Sequence, residues 1–243
     1  MKLILLSDLH ANVTALNSVL ADIRAHGQFD SFALLGDLVN YGMRPNETIE
    51  IVKGITRPIL VNLWGNHEYS LFGGSLERFA TDRGRAVLQF TRSILTGSSF
   101  RYLEEKMEHS GLSAHMIEGK RYLFIHGSLD DPYWGKLNSE TMRDKRYSEF
   151  DYIISGHSHI PHYIEFFYDA ECPSYRNKKR TVFINPGSIG QPRNHCPNAQ
   201  YGILDTSTGS YEHRSVQYDI KAEQVLYDSR VDTFYKTRLS LGV

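Results

Sequence analysis

The chain contains little cysteine and no long hydrophobic run. Only Cys172 and Cys196 occur among its 243 residues, and they do not form a C-x-x-C pair. This excludes a disulfide framework and a cysteine-based zinc ribbon. The apolar run that begins at Leu3 is interrupted by Ser7 and Asp8, so it is too short for a signal sequence or a membrane span. We therefore expect a cytoplasmic protein that has no membrane partner.

An excess of charge of either sign is also absent. The 27 Lys and Arg residues nearly balance the 28 Asp and Glu residues, and the net charge is −1 when histidine is neutral. Such a balance provides no general field that attracts nucleic acid, so any affinity for phosphate must be local. Proline and glycine are spread through the chain without a linker-like cluster, and residues 1–243 are predicted to form a single domain.

Five short apolar runs are typical of buried strands, and each is closely followed by residues that can bind a metal. The runs are Lys2–Leu6, Phe32–Leu35, Ile59–Val61, Tyr122–Ile125 and Tyr152–Ile154. Loops at the ends of strands in an open α/β sheet meet along one rim. We therefore expect the residues after these runs to lie close together.

The residues after the runs form five short segments. These are Ser7–His10, Gly36–Asp37, Gly65–Glu68, His126–Gly127 and Gly156–His159. They provide two Asp, one Asn and four His that can act as ligands, with one further His to spare, a set suited to two divalent ions that share a carboxylate. Each segment alone has an ordinary explanation, since Asp8 could cap a helix and Gly-Asp is common in turns. A metal site explains all of them together.

The order D-x-H, G-D, G-N-H-E, H and G-H-x-H resembles the signature of the calcineurin-like metallophosphoesterase family, from Lys2 to His159. Residues 41–47 and 185–193 further resemble small bacterial and archaeal members. The resemblance implies a mixed α/β fold, a four-layer αββα sandwich of two mixed β-sheets flanked by helices. Strands and helices alternate up to about residue 151 and strand-like segments follow, which also suggests two facing sheets.

The resemblance implies how two metals would share the ligands. One metal would be held by Asp8, His10, Asp37 and His159, and the other by Asp37, Asn66, His126 and His157. Asp37 would bridge the two ions, and a hydroxide that touches both would attack phosphorus. Ligation rich in histidine favours Mn, Fe, Zn, Co or Ni over Mg, and the identity of the two divalent ions stays open.

Four residues beside the ligands receive roles in this scheme. His67, which has no ligand role, is assigned to the leaving group as the catalytic residue. Glu68 is interpreted as a supporting carboxylate at a helix start. Arg193 is predicted to bind substrate phosphate, with a surface ion pair as the alternative, and Asn40 is predicted to line the same mouth. Residues 69–113 contain two helical patterns that could form a cap beside the site or simply cover the sheet.

The predicted activity is hydrolysis of a phosphoester or phosphoanhydride bond in a small phosphorylated substrate, which could be a nucleotide. Narrower alternatives are a phosphodiesterase, a dinucleoside polyphosphate hydrolase and a protein phosphatase. Outside the enzymes, the alternative is a catalytically silent scaffold that binds proteins. The complete ligand set argues against the scaffold. The sequence does not predict the oligomeric state.

Overall fold

All the predicted apolar runs form β-strands in the computed structural model, which describes residues 1–243 apart from the side chain of Tyr175. In chain order the strands are β1 (Lys2–Leu6), β2 (Ser31–Leu34), β3 (Ile59–Asn62), β4 (Leu112–Ile117), β5 (Lys120–Ile125), β6 (Tyr152–Ser155), β7 (His162–Asp169), β8 (Lys178–Asn185), β9 (Ala199–Asp205) and β10 (Ser210–Val216). The apolar runs provide five of these strands, and strands after β6 account for the strand-like region predicted in the second half.

The strands form two five-stranded sheets, and both sheets are mixed. The first has the order β10-β9-β1-β2-β3, in which β1, β2 and β3 are parallel and β9 and β10 are antiparallel to their neighbours. The second has the order β4-β5-β6-β8-β7, with β5, β6 and β8 parallel and the two outer strands antiparallel. The carboxyl ends of the parallel strands therefore share one edge within each sheet.

Apolar side chains between the sheets form a central core. Alternation along β1 places Leu3 and Leu5 in this layer, whereas Ile4 and Leu6 lie on the opposite face of the sheet. Leu3 and Leu5 belong to the same buried cluster as Ile154 of β6, which lies in the second sheet. The two sheets thus pack against each other, as predicted.

Seven α-helices accompany the sheets in the part of the chain that the structure describes. They are α1 (Val13–His26), α2 (Pro45–Lys53), α3 (Asn66–Leu71), α4 (Asp82–Ile94), α5 (Gly97–Glu105), α6 (Ile220–Gln224) and α7 (Thr233–Leu241). None of the helices described here has the length and apolar character needed to cross a lipid bilayer.

Each sheet has an outer layer. On the first sheet, Leu16 of α1 and Ile49 of α2 belong to the same buried cluster as Leu6 of β1. On the second sheet, Met142 and Tyr147 lie in short 3-10 helices and belong to a cluster with residues of β5, β6 and β8. The predicted four-layer αββα sandwich is confirmed, and 3-10 helices contribute to its fourth layer.

The two helical patterns predicted within residues 69–113 are confirmed as α4 and α5. The side chain of Thr81 accepts the N–H of Gly84 at the start of α4, and that of Thr96 accepts the N–H of Ser99 at the start of α5. Threonine is a favourable residue at the position before a helix because its oxygen satisfies an otherwise unpaired N–H. These caps explain where both helices begin.

The helices α6 and α7 lie beyond the segments that the sequence analysis identified. They are attached by a separate apolar cluster that includes Tyr41, Val87 of α4, Tyr227, Tyr235 of α7 and Leu239 of α7. This cluster holds α7 beside α4 and beside the loop that follows β2.

The central core predicts a large cost for truncating Ile154, which is fully buried on β6. Ile154→Ala leaves a cavity that the two packed sheets cannot fill, so we expect the free energy of unfolding to fall by about 2–5 kcal/mol. Ile164→Ala on β7 is the matched control because Ile164 is 39% exposed, and we expect it to cost less than about 1 kcal/mol. Urea denaturation measures both values, and equal losses would contradict the assignment of the core.

Candidate metal centre

Loops after strands of both sheets bring the predicted ligands together. Asp8 follows β1, Asp37 follows β2, and Asn66 begins α3 just after β3. His126 directly follows β5, and the G-H-x-H segment directly follows β6. Because the sheets face each other, these loops meet at one rim, where the strand pattern places them.

Two groups of side chains have ligand atoms close enough to hold a metal ion each. Within each group the ligand atoms lie within 4.8 Å of one another, and the groups are Asp8, His10, Asp37 and His159, and Asp37, His126 and His157. Asn66 adjoins the second group, because its Oδ1 lies 2.9 Å from His157 Nδ1 and 3.1 Å from His126 Nε2. These are the two sets that the resemblance implies, with Asp37 common to both.

The imidazole rings of the first group face each other in a way that suits a cation. His10 Nδ1 lies 3.2 Å from the carbonyl oxygen of Val39, and His159 Nδ1 lies 2.6 Å from that of Gln191. Because a carbonyl only accepts, we assign the hydrogen to each Nδ1 and a lone pair to each Nε2. The two Nε2 atoms are 3.2 Å apart. Burial is the main effect that lowers the pKa of both rings and keeps them neutral.

The second group has the same character. His126 Nδ1 lies 2.6 Å from the carbonyl oxygen of Leu35, so its Nε2 lone pair faces Asn66 Oδ1 at 3.1 Å and Asp37 Oδ2 at 3.3 Å. Burial is the largest single effect and lowers the pKa of His126, but the charge and hydrogen bond of Asp37, the charge of Asp8 and the bond to Leu35 together outweigh it and raise this pKa to about 9. A proton on His126 and a metal ion are therefore alternative sources of the positive charge that these acceptors need.

Asp8 provides an independent test of whether a metal fits. Its Oδ2 accepts bonds from Ser7 Oγ at 2.5 Å and from the backbone N–H of His157 at 3.2 Å. Its Oδ1 is buried and has no hydrogen-bond partner among the described residues, and the Nε2 lone pair of His159 lies 3.1 Å away. A buried carboxylate oxygen in such surroundings is costly unless a cation lies beside it. The donor set therefore fits divalent ions of the Mn-to-Zn series.

Most of the candidate ligands lie on left-handed backbone. The φ angles are 53° for Asp8, 48° for His10, 55° for Asp37, 62° for His157 and 58° for His159. This conformation costs a non-glycine residue about 1–2 kcal/mol, and it persists only where the surrounding structure holds it in place. Such a concentration of unfavourable backbone is typical of a functional site.

Backbone groups orient Asp37. Its Oδ1 accepts the backbone N–H of His67 at 3.0 Å, while its Oδ2 faces both ligand groups, 3.3 Å from His126 Nε2 and 3.8 Å from His10 Nε2. The approach requires glycine at position 65, because a Cβ on Gly65 would lie 2.1 Å from Asp37 Oδ1. The glycine of the G-N-H-E segment is thus explained by steric contact with the carboxylate that both groups share.

Glu68 joins the loop after β2 to the start of α3. Its Oε2 accepts the backbone N–H groups of Asp37 and Gly65, each at 2.9 Å, and its Oε1 accepts those of Leu38 at 2.9 Å and Val39 at 3.2 Å. Burial, followed by the charge of Asp37, raises the pKa of Glu68 to about 7, and the bonds from Gly65 and other backbone groups oppose this shift. The buried carboxylate supports both ligand loops without itself belonging to either group.

His67 and Asn40 form a pair behind the ligands. Asn40 Nδ2 lies 2.5 Å from His67 Nδ1, and Asn40 Oδ1 accepts a hydrogen bond from Thr91 Oγ1 at 3.1 Å. Asn40 is fully buried and does not line the cavity described below, which corrects the prediction that it lies at the mouth. The reason is that its amide is turned inward by bonds to His67 and Thr91. Burial lowers the pKa of His67 to about 4, so its ring is neutral.

A cavity of about 530 Å³ opens onto both ligand groups. Candidate ligands and His67 form its floor, and aromatic or basic side chains form much of its wall, namely Tyr41, Arg78, Phe79, Arg83, Trp134, Lys136, Arg193, Phe234, Tyr235 and Arg238. Arg193 thus lines the same cavity as the candidate ligands. Residues 78–81, 83 and 84 line the cavity, so part of the predicted cap segment borders the site.

Tyr41 connects the ligand cluster to α7. Its ring centroid lies 4.5 Å from the ring centroids of both His10 and His67. On its other side it stacks on Tyr235 of α7, with 4.7 Å between centroids and 19° between planes. The tyrosine therefore packs between a C-terminal helix and the histidines of the site.

The sequence model of the calcineurin-like phosphoesterase superfamily domain matches residues 1–209. The chain belongs to this superfamily. It is 31% identical to the uncharacterized protein MJ0912 of Methanocaldococcus jannaschii, over 98% of this chain and 96% of the relative. A metallophosphoesterase structure from Sphaerobacter thermophilus is 28% identical and has a TM-score of 0.78, with 100% of both chains covered.

A hypothetical protein from Pyrococcus horikoshii shares the fold of this superfamily member, with a TM-score of 0.80, 19% identity and coverage of 100% of this chain and 98% of that one. Membership confirms the resemblance and identifies the chain as a phosphoesterase-family protein with a buried Asp and His cluster that can bind metal.

Sequence analysis missed the residues that α7 contributes to the cavity. Phe234, Tyr235 and Arg238 line it, although α6 and α7 lie beyond the segment that the superfamily model matches. The spacing of four between Phe234 and Arg238 does indicate a shared helical face. The spacing does not indicate that this face of α7 lines the cavity beside the candidate ligands.

We predict that Glu68→Gln weakens metal binding although it removes no proposed ligand. The amide keeps one accepting oxygen, but its NH₂ would face two backbone donors and disturb Asp37. Loss of such support typically lowers metal affinity about 10- to 100-fold. Competition with a chromophoric chelator measures this affinity. Glu105→Gln on exposed α5 surface is the matched control, and wild-type affinity in both variants would contradict the role of Glu68.

Proposed function

We propose that this chain hydrolyses phosphoester or phosphoanhydride bonds with two divalent metal ions. The observation that carries the proposal is the pair of ligand groups that share Asp37 and open into one cavity. When bound, two such ions supply an activated water as nucleophile and polarise phosphoryl oxygens. One ion would be held by Asp8, His10, Asp37 and His159, and the other by Asp37, Asn66, His126 and His157.

His67 is proposed to act on the leaving group. The amide NH₂ of Asn40 donates to its Nδ1, which leaves the hydrogen of the neutral ring on Nε2. His67 Nε2 lies 3.8 Å from Asp37 Oδ2, on the side of the ligand groups. An N–H at this place can donate to the departing oxygen as negative charge develops on it. Asn40 is accordingly a positioning residue for His67 in this proposal.

Arg193 is proposed to bind phosphate oxygens of the substrate. Its backbone N–H donates to the carbonyl oxygen of His159 at 3.2 Å, so its loop is attached directly to a candidate ligand. Arg193 also lines the cavity. A guanidinium can bind two phosphate oxygens at once, which would orient the phosphoryl group above the ligands.

Within this reaction class, a nucleoside polyphosphate is a specific candidate substrate, because aromatic and basic side chains share the cavity wall. The rings of Phe79 and Trp134 meet edge to face, with 5.0 Å between centroids, and offer an apolar surface for a base. Arg193 and its basic neighbours would meet the phosphates. A phosphodiester and a phosphoprotein are the competing substrates that an experiment must separate.

The test is an activity screen of the metal-reconstituted protein. Bis-p-nitrophenyl phosphate, p-nitrophenyl phosphate, a dinucleoside polyphosphate and a phosphopeptide are compared by kcat/KM. We expect turnover that requires added metal and is abolished by a chelator, and the ranking identifies the substrate class. A protein that binds two metals per chain and hydrolyses none of the four would contradict the proposal and favour the scaffold.

Asp37→Asn is expected to abolish nearly all activity and to deplete the site of metal. Asp37 is the only carboxylate common to both ligand groups, and an amide removes the negative charge that both ions would share. Elemental analysis of the purified variant measures the metal content. Asp169→Asn, on the exposed surface of β7, should keep metal and turnover. An Asp37→Asn protein with two metals per chain and normal turnover would show that Asp37 is not the bridge.

His67→Ala is expected to slow chemistry while metal content is retained. Loss of a positioned donor should lower kcat by about two to four orders of magnitude for esters with poor leaving groups. The loss should be much smaller for p-nitrophenyl esters, because p-nitrophenolate departs without a proton. Equal losses for both kinds of ester would argue against a leaving-group role, and loss of metal would make His67 a structural residue.

A further inference from the structure

Three arginines from separate parts of the chain line the cavity beside the candidate metal ligands. Arg193 lies in the loop after β8, Arg83 lies in the first turn of α4, and Arg238 lies in α7. The sequence analysis considered only the first of them. The fold therefore concentrates positive charge on one side of the site.

The ring of Phe234 holds two of the three guanidinium groups together. Arg83 Cζ lies 3.9 Å from the ring centroid, and Arg238 Cζ lies 5.0 Å from the same centroid. Arginine stacks on an aromatic face through cation–π attraction while its N–H groups stay available at the edge. Phe234 thus brings a residue of α4 and a residue of α7 to one place in the cavity wall.

The backbone of the third arginine, Arg193, contacts a candidate metal ligand. The backbone contact of Arg193 with His159 holds its loop against the first ligand group. Its Nε is buried and has no hydrogen-bond partner among the described residues. Arg193 and Arg238 line the same cavity, and the charge of Arg193 contributes, after burial, to lowering the pKa of Arg238 to about 10.

Asp and Glu side chains do not neutralise this cluster. In the part of the chain that the structure describes, none of the three arginines forms an ion pair with an Asp or Glu side chain. Arg78, in the same cavity, shows the contrast, since it pairs with Asp131 at 2.5 Å. Arg238 is only 9% exposed, and its Nε donates to the backbone oxygen of Val243.

Arg238 is nearly buried, Arg193 is half-buried and Arg83 is exposed, and none of them has an Asp or Glu side chain as counter-charge among the described residues. For the two less exposed guanidinium groups this arrangement is unfavourable unless an anion joins them. Removing a charged group from water costs several kcal/mol, and mutual repulsion adds to this cost. A phosphate oxygen cluster would supply both the missing charge and the hydrogen-bond acceptors for the free guanidinium N–H groups. The arrangement has the chemistry of an anion site that is separate from the metal ligands yet opens into the same cavity.

We propose that Arg83, Arg193 and Arg238 form a second anion-binding site, which takes a phosphate group of the substrate adjacent to the one that is hydrolysed. The proposal rests on the proposed phosphoesterase function and narrows it to substrates that carry at least two phosphates or a phosphate and another anion. It also makes α7 part of the substrate-binding surface. A compact monoester would leave this site without a partner.

The experiment compares two probes on the metal-loaded full-length chain. Isothermal titration calorimetry measures the affinity of inorganic phosphate and of methylenediphosphonate, which has two phosphoryl groups and a bridge that cannot be hydrolysed. The variants are Arg83→Gln, Arg193→Gln and Arg238→Gln. Arg92→Gln is the matched control, because Arg92 is exposed on α4 and does not line the cavity.

We expect Arg83→Gln and Arg238→Gln each to weaken methylenediphosphonate binding by about 10- to 100-fold, the loss typical of a charged hydrogen bond. Phosphate, which the metal ions hold, should change by less than about threefold. Arg193→Gln should weaken both probes, since Arg193 lies nearest the ligand groups. Arg92→Gln should change neither. Because Arg83 is exposed, its variant decides the question if Arg238→Gln proves unstable on heating.

Other outcomes overturn the proposal. Equal weakening of phosphate and methylenediphosphonate in Arg83→Gln and Arg238→Gln would show that these arginines act on the metal-bound group, and no weakening would show that they bind no anion. If Arg92→Gln weakened methylenediphosphonate binding equally, the effect would come from the net charge of the protein and not from a specific site. The titration does not need turnover, so failure of the phosphoesterase function would appear in the activity screen and is distinguishable from failure of this site.

Discussion

The whole site depends on one constraint, which is that buried acceptor atoms must be held close together although they repel one another. The Nε2 lone pairs of His10 and His159 are 3.2 Å apart, and Asp8 Oδ1 lies buried without a hydrogen-bond donor among the described residues. Backbone carbonyls fix the rings from behind, and left-handed backbone aims the ligands inward. The well-packed core between the two sheets provides the stability that offsets these unfavourable local conformations.

Much of this could be predicted because the information is local. Each ligand segment follows an apolar run by a few residues, so strand and ligand are recognised in one short window of sequence. Parallel strands in layered sheets then bring the loops to a common rim. Two sheets, a common cluster of candidate ligands and the helices α4 and α5 follow from such patterns, whereas the division of the ligands into two groups is what the family resemblance implies. The hydrogen bonds of Glu68 could not be predicted from local sequence, because the donors lie in the loop after β2 as well as in its own loop.

The parts that could not be predicted depend on how distant surfaces meet. Asn40 is polar and follows Asp37 closely, which made the cavity mouth a reasonable location, but Thr91 and His67 satisfy its amide in the interior. Arg83 and Arg238 lie on separate helices, and the sequence of neither helix identifies the surface that it meets. Their proximity arises only when α7 docks on α4 through the cluster around Tyr235.

The ring of Tyr41 couples the end of the cavity formed by the candidate ligands to the end formed by α7. It touches His10 and His67 on one side and Tyr235 on the other, so a displacement of α7 would loosen the packing of both histidines. A substitution in α7 that shifts this helix would also affect the end of the cavity that contains the candidate ligands. We therefore expect substitutions in α7 to occur together with substitutions in the loop after β2 among related sequences.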